Sequence, residues 1–272
     1  MKKTFKRIIP SFLWKPAGEA FDAFYRLPEL PAAYFHRWRR ESMGRIAALR
    51  DGYTGERAFI IGNGPSLRRM DLGKLRGEYT FGLNRIYLLF PELGFSTTFF
   101  VSINDLVIEQ CMDEILALPM PKFLSWRSRR FFSPGLQFSS HNINFIYTTY
   151  TGPRFSERAA GRLWEGATVT YVALQLAFHM GFKQVILIGV DHNFSHRGSA
   201  NQVVTSEGRD LDHFHTDYFG KGFRWQLPDL ETSERAYCMA DRVYKHTGRK
   251  ILDATVDGKL TVFPKVSYES LF

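Results

Sequence analysis

Short apolar runs alternate with segments whose apolar residues recur at helical spacing, from about residue 57 to residue 254. The clearest unit is Gly166 to Val190. Val169, Val172, Ala173, Leu176, Ala177 and Met180 define one helical face, Gly181 ends the helix, and Lys183 to Ile188 supplies a strand. Upstream, the pattern predicts strands at Arg57 to Ile61, Tyr79 to Leu83, Thr98 to Ile103, Lys122 to Ser125 and Ile143 to Thr148. It predicts helices from Ser66 to about Leu75 and from Asp105 to Leu118. A final helix, Leu230 to His246, stops before Gly248 and leads into a strand at Lys250 to Ala254. Strands that alternate with helices imply an α/β fold, a Rossmann-like and mainly parallel sheet with helices on both faces.

Two segments fall outside this rhythm. Pro28, Pro31 and the polar stretch Asp51 to Glu56 separate an N-terminal arm, residues 1–54, from a nucleotide-binding catalytic domain at 55–272. Residues 191–229 are rich in His, Asp and Gly with little periodicity, which predicts a functional lid inserted into the domain.

Charge changes the picture of the arm. The formal net charge is +9, and residues 1 to 50 hold eleven Lys/Arg against four Asp/Glu, so +7 of it sits there. These cations are interleaved with Phe5, Phe12, Trp14, Phe21, Phe24, Tyr25, Tyr34, Phe35 and Trp38. Such an arm suits an anionic membrane surface, and equally an arm that packs its rings on the domain. No nucleic-acid reading motif accompanies it, and no nucleic-acid partner is expected. The two cysteines, Cys111 and Cys238, support neither a disulfide framework nor a zinc site. The longest apolar run, Val185 to Val190, is strand-sized, and no signal peptide is read at the N-terminus. The expected setting is cytoplasmic, peripheral on the inner face of the membrane if the arm docks there.

The chemistry-bearing residues cluster at predicted strand ends, which in a parallel sheet face the ligand crevice. Phe59-Ile-Ile-Gly-Asn-Gly-Pro-Ser66 reads as a strand, a glycine turn and a helix start. Gly62 and Gly64 allow close approach of a phosphate, Pro65 and Ser66 open the helix, and Asn63 and Ser66 add hydrogen-bonding side chains. The same residues also fit a plain tight turn. The segment lacks the Gly-Lys-Ser/Thr of a P-loop and the third glycine of the dinucleotide motif. Asn84 and Asn104 end two further strands and suit a base edge or a ribose, or cap the chain locally. Thr168 and Thr170 open the strongest helix, where a phosphate or ribose would meet backbone N–H groups. Asp191 ends the last strand of that unit, placed to orient a hydroxyl, act as base or face a metal. In the lid, His192, His196, His213 and His215 accompany Asp210, Asp212 and Asp217, and one of these histidines is the natural general base. Lys221 and Arg224 are placed to hold a phosphate or an acidic sugar.

These motifs resemble two related families, the 6-hydroxymethylpterin diphosphokinase MptE-like proteins and the bacterial sialyltransferases that use CMP-sialic acid. The resemblance rests on Phe59 to Leu67, Gly82-Leu-Asn84, Gly166 to Ala173, Gly181 to Asp191 and the His-rich loop, covering roughly residues 57 to 254. The sialyltransferase resemblance implies that Asn63, Gly64, Ser66, Asn84 and Asn104 hold the CMP moiety and that His213 or His215 is the base. Where those enzymes place tyrosines after the strand-end Asp, this chain has His192, Phe194 and His196. The MptE-like resemblance implies diphosphate transfer from ATP to a pterin alcohol, with Mg2+ on the phosphates and Asp191 facing the metal. The expectation is a glycosyltransferase with a nucleotide-sugar donor of the CMP type and a glycan or lipid-linked acceptor, making surface polysaccharide. The alternatives are a pterin diphosphokinase and a non-catalytic nucleotide-binding module.

Overall fold

The computed structural model describes residues 20, 23, 24, 26–138, 140–150, 152, 154–195 and 198–272. Its centre is an eight-stranded sheet built from β1 (Arg57–Ile61), β2 (Tyr79–Leu83), β3 (Phe99–Ser102), β4 (Lys122–Ser125), β5 (Ile143–Thr149), β6 (Arg162–Trp164), β7 (Gln184–Ile188) and β10 (Lys250–Asp253). The spatial order is β10-β7-β1-β2-β3-β4-β5-β6, and every pairing is parallel. The chain runs outward from β1 to β6 and then returns to the other side of β1, so the order reverses between β1 and β7. That is the place where a ligand crevice opens in sheets of this kind.

Both faces of the sheet are covered, which explains the unbroken apolar strands. Phe59, Ile61, Phe100 and Phe145 face one buried cluster, shared with Leu67, Leu72 and Val107. Ala58, Ile60, Phe81 and Val101 face the other, where helices α6 (Val169–Met180) and α7 (Leu230–His246) pack. Helix α6 begins at the Thr168 N-cap, whose hydroxyl accepts from the Thr170 N–H at 3.2 Å, and ends at Gly181 with φ 96°. The left-handed residue at that end is one that glycine adopts without strain.

The structure departs from the sequence reading in four places. Ser66 to Leu75 is not a helix but two 3₁₀ turns, Pro65–Arg69 and Leu72–Leu75, because Asp71 accepts from the Gly73 N–H and restarts the chain. The helix expected from Asp105 to Leu118 divides at Cys111 (φ −125°, ψ 29°) into α4 (Asp105–Gln110) and α5 (Met112–Ala117), after the short α3 (Phe90–Leu93). Strand β6 had no separate signal.

The largest difference concerns the arm. Helices α1 (Leu30–Phe35) and α2 (Arg37–Ala48) belong to the domain's packing. Strand β6 pairs only with Tyr147 to Thr149, so the first half of β5 presents an open edge. Helix α2 covers it. Ser42 Oγ accepts from the Phe145 N–H at 2.9 Å, Arg45 donates to the Ile143 carbonyl at 2.6 Å and to Asn144 Oδ1 at 2.8 Å, and buried Arg39 donates to the Ala160 and Gly161 carbonyls at 2.7 Å. Capping an edge in this way removes a template for unwanted pairing. The packed core therefore extends back past residue 54 to the helix at 37–48. Phe5, Phe12, Trp14, Phe21 and Tyr25 lie outside the described residues.

The expected lid is only partly a loop. It carries an antiparallel hairpin, β8 (Val203–Thr205) with β9 (Arg224–Gln226), and Phe214, Tyr218, Phe219, Trp225 and Leu227 are buried in the main core. Among the described residues, no helix is long and apolar enough to cross a membrane.

Candidate functional site

A cleft of about 690 Å³ opens over the carboxyl ends of the strands. Asn63, Asn84, Asn104, Thr168, Asp191, His192 and His213 all line it, along with Gly62 and Gly64. Three asparagines separated by up to 41 positions in sequence thus converge because they end three adjacent parallel strands. Asn84 takes φ 48°, a left-handed conformation that asparagine tolerates, and accepts from Ser102 Oγ at 3.1 Å. Asn104 is the N-cap of α4, accepting from the Leu106 N–H at 2.9 Å, so Asp105 is the first helical residue and not the cap. Asn63 differs from both: its Oδ1 is buried without a hydrogen-bond partner. A buried acceptor left unpaired is costly, so a ligand N–H or O–H placed there would be favoured.

The glycine turn brings the ends of β1 and β7 into close contact. The Gly62 N–H donates to the Ile188 carbonyl and the Gly64 N–H to the Gly189 carbonyl, both at 2.8 Å. Asp191 packs against the same turn. Its carboxylate accepts from the Ser66 N–H at 3.1 Å and from Ser66 Oγ at 2.6 Å. A Cβ on Gly64 would overlap this carboxylate and lie 2.9 Å from the Gly189 oxygen, and one on Gly62 would run into the Gly189 carbonyl. The glycines are needed to let β7's end close against β1's end. Pro65 and Ser66 do not line the cleft, and Ser66 is buried beneath it.

Burial raises the Asp191 carboxyl above its ordinary range, while the hydrogen bonds from Ser66 oppose the rise. Such a group favours the folded state below its unfolded pKa and loses that contribution as pH rises through the folded value. Ser66→Ala removes the hydroxyl donor to the charged form, leaves the backbone N–H in place, and pushes the folded value further up. We expect it to cost about 1–3 kcal/mol at neutral pH, where the carboxylate is charged, and much less in acid. Thermal melting of both proteins across pH checks this; a loss that is the same at every pH would count against it.

His213 and His215 are separated by the tertiary structure. His213 lines the cleft, its Nδ1 lies 2.9 Å from Asp210 Oδ2, and its ring stacks on Tyr218 with centroids 4.0 Å apart and 5° between planes. Asp210 is buried and also accepts from the Asp212 N–H at 2.9 Å. A carboxylate on Nδ1 keeps the proton there and leaves Nε2 as the acceptor. His215 does not line the cleft; its Nδ1 accepts from the Asp217 N–H at 3.1 Å, a local turn contact. The segment holding His213 is anchored to the first strand ends. The Phe214 N–H donates to the Asn63 carbonyl at 2.9 Å, Arg68 donates to the Phe214 carbonyl at 2.5 Å, and Arg85 donates to the Tyr218 carbonyl.

His192 lines the cleft with its Nε2 3.0 Å from Glu234 Oε1. Lys221 and Arg224 are exposed and do not line it, and Arg224 pairs with Glu109 at 2.8 Å. The phosphate-holding role expected for these two has no support in their placement. His196 lies outside the described residues.

The residues that sequence reasoning missed come from the far side of the cleft. Glu165 accepts from Arg127 and from Thr148 Oγ1, each at 2.7 Å. Tyr150 donates to Asp229 Oδ2 at 2.9 Å and accepts from Asn201 at 2.7 Å, and burial pushes its phenol up to about 12. Tyr218, Phe219 and Trp225 supply an aromatic wall. No motif marked these positions, because each depends on which strand end neighbours which. Among the described residues, the lining carries five carboxylates, Asp105, Glu165, Asp191, Asp212 and Asp229, against the single guanidinium of Arg127. Among the described residues, no three His, Cys, Asp or Glu side chains are grouped to hold a metal ion.

A parallel sheet covered on both faces, with a cleft at the carboxyl ends beside the reversal of strand order, defines a Rossmann-like α/β protein. The chain belongs to the 6-hydroxymethylpterin diphosphokinase MptE-like family, whose profile matches residues 40–197. That match starts within α2, as the packing of this helix would require. Among solved structures, the chain is similar to the MAf glycosyltransferase from Magnetospirillum magneticum AMB-1, with 15% identity and a TM-score of 0.49. The similarity covers 94% of this chain and 42% of that one, so this chain spans less than half its length. No match was found among curated proteins. A transferase role is the level that family membership supports.

Proposed function

We propose that the protein is a glycosyltransferase that takes a nucleotide-activated sugar of the CMP type and passes the sugar to a hydroxyl of a glycan or lipid-linked acceptor in surface polysaccharide synthesis. The observation that carries this reading is the Asp210-oriented His213 in the same cleft as Asn63, Asn84 and Asn104. The asparagines receive the base and ribose, with the unpaired Asn63 Oδ1 accepting from the nucleoside. The phosphate lies at the N-terminus of α6, where Thr168 and Thr170 line the cleft and the helix dipole favours an anion. His213 Nε2 takes the proton of the acceptor hydroxyl as its oxygen bonds to the anomeric carbon. The bond from that carbon to the phosphate oxygen breaks, and its electron pair leaves with the nucleotide. Asp191 enters this scheme as a support of the glycine turn, through Ser66, not as a base.

The family's name favours the second reading, diphosphate transfer from ATP to a pterin alcohol. The charge of the cleft speaks for the first. Five carboxylates against one guanidinium oppose a triphosphate more than a donor with one phosphate. Mg2+ would relieve this repulsion, held by the phosphates and one or two carboxylates of the cleft, so the magnesium dependence of nucleotide binding separates the two readings. A third reading, a pocket that binds without turnover, predicts a bound nucleotide and no product.

Thermal-shift measurements with CMP, CDP, UDP, GDP, ADP and ATP, with and without magnesium, test the proposal. A cytidine nucleotide at about a hundred times its Kd should stabilise the fold by ~2.7 kcal/mol, with little dependence on magnesium. Stabilisation by ATP only with magnesium, joined to AMP formation from the pterin alcohol, would select the diphosphokinase.

A further inference from the structure

We propose that the exposed apolar surface at residues 24–35 seats the protein on an anionic lipid bilayer with the mouth of the cleft beside the membrane. Phe24 is 70% exposed, Leu27 54% and Phe35 78%, with Tyr34 at 39%. Four of the seven large hydrophobic side chains exposed among the described residues thus fall within twelve positions, so this is a patch and not scatter. Phe35 in particular is set apart from the rings that serve the core. Trp38, a few residues on, packs its ring 3.9 Å from that of Phe138, whereas Phe35 faces outward at the end of α1.

Charge selects the occupant. Arg37 and Arg40 are exposed beside the patch, Arg37 meeting Glu41 at 3.3 Å, and the first 50 residues carry +7 of the chain's +9. A second copy of the chain would bring two such segments together and be repelled. An anionic bilayer accepts both elements, the rings at the acyl boundary and the cations among the headgroups.

The position of the patch adds an independent argument. Arg26 donates to the Thr148 carbonyl at 2.8 Å, and Thr148 Oγ1 donates to Glu165, which lines the cleft. Glu29 pairs with Arg129 at 2.7 Å, and Tyr34 meets Tyr147 edge-on at 5.8 Å. The patch is therefore anchored to the carboxyl end of β5, whose next residue, Tyr150, is part of the cleft wall. Val203, exposed on the hairpin, also lines the cleft. A protein lying on this face presents its cleft to a substrate held in the bilayer. Vesicle binding needs no donor, so it stands or falls apart from the transfer reading.

The test is co-sedimentation of the full chain with vesicles of phosphatidylglycerol and phosphatidylcholine, and with phosphatidylcholine alone, at low and high salt. Binding to the mixed vesicles should be at least about tenfold tighter than to the neutral ones and should weaken with salt. The double variant Phe24→Ser/Phe35→Ser should lose about tenfold on the mixed vesicles at a temperature where its melting curve shows it folded. Arg37→Glu/Arg40→Glu should lose a similar factor and most of the salt dependence. No binding, equal binding to both vesicles, or unchanged binding of both variants overturns the proposal. So does a dimer in solution that the Phe24→Ser/Phe35→Ser variant dissolves.

Discussion

Gly64→Val should cost about 3 kcal/mol or more, a fall of roughly 6–12 °C in melting temperature for a chain of this size. The backbone at Gly64 is extended, with φ −71° and ψ 157°, so conformational strain is not the cause. Space is. The added side chain would take the place of the Asp191 carboxylate, and that carboxylate has two donors on Ser66 to lose and no nearby alternative in the turn. Displaced, it would be a buried charge without its partners, and the Gly189 carbonyl 2.9 Å from the new Cβ cannot retreat without opening β7 from β1. Gly135→Ala is the control, with no atom within 4 Å of its Cβ, and should change stability by no more than about 0.5 kcal/mol. A Gly64→Val protein that melts normally and merely fails to bind nucleotide would show that this glycine serves to admit a phosphate and not to pack the turn.

His213→Ala should reduce sugar transfer from a CMP-activated donor by about 10²–10⁴-fold, with nucleotide affinity in the folded variant little changed. His215→Ala should leave the rate within a small factor of the original. Both histidines stand in the same loop, two residues apart, yet only His213 meets a buried carboxylate and the cleft. Asp210→Asn provides the finer measurement: the amide no longer fixes the proton on Nδ1, and the tautomer of His213, read by nitrogen chemical shifts, should become mixed. Equal losses at His213 and His215, or none at His213, would remove the general base from the proposed mechanism.

How far the site could be read in advance depended on the range of the interactions concerned. Asn63, Asn84 and Asn104 were legible because each ends a strand, and a parallel sheet gathers strand ends on one side whatever its strand order. His213 against His215 was not legible, since the choice turns on a ring stacking over Tyr218 and on the burial of Asp210. Of the two readings open for the arm, packing on the domain could not be picked out from sequence, since the partner of α2 lies about a hundred residues away in β5. Lys221 and Arg224 were drawn into the site by charge alone, which carries no direction.

Local pattern alone determined the α/β alternation, the parallel sheet, the strong αβ unit at Val169 to Ile188 and the strand-end position of the asparagines. These follow from periodicity and turn chemistry, which act within a few residues. Tertiary structure decided which chemistry the positions carry. It set Asp191 against Ser66, put His213 and not His215 at the cleft, and drew Glu165, Arg127 and Tyr150 into the cleft wall. Those outcomes depend on contacts between strand ends distant in the chain, where burial and available space, not local preference, settle which group meets which.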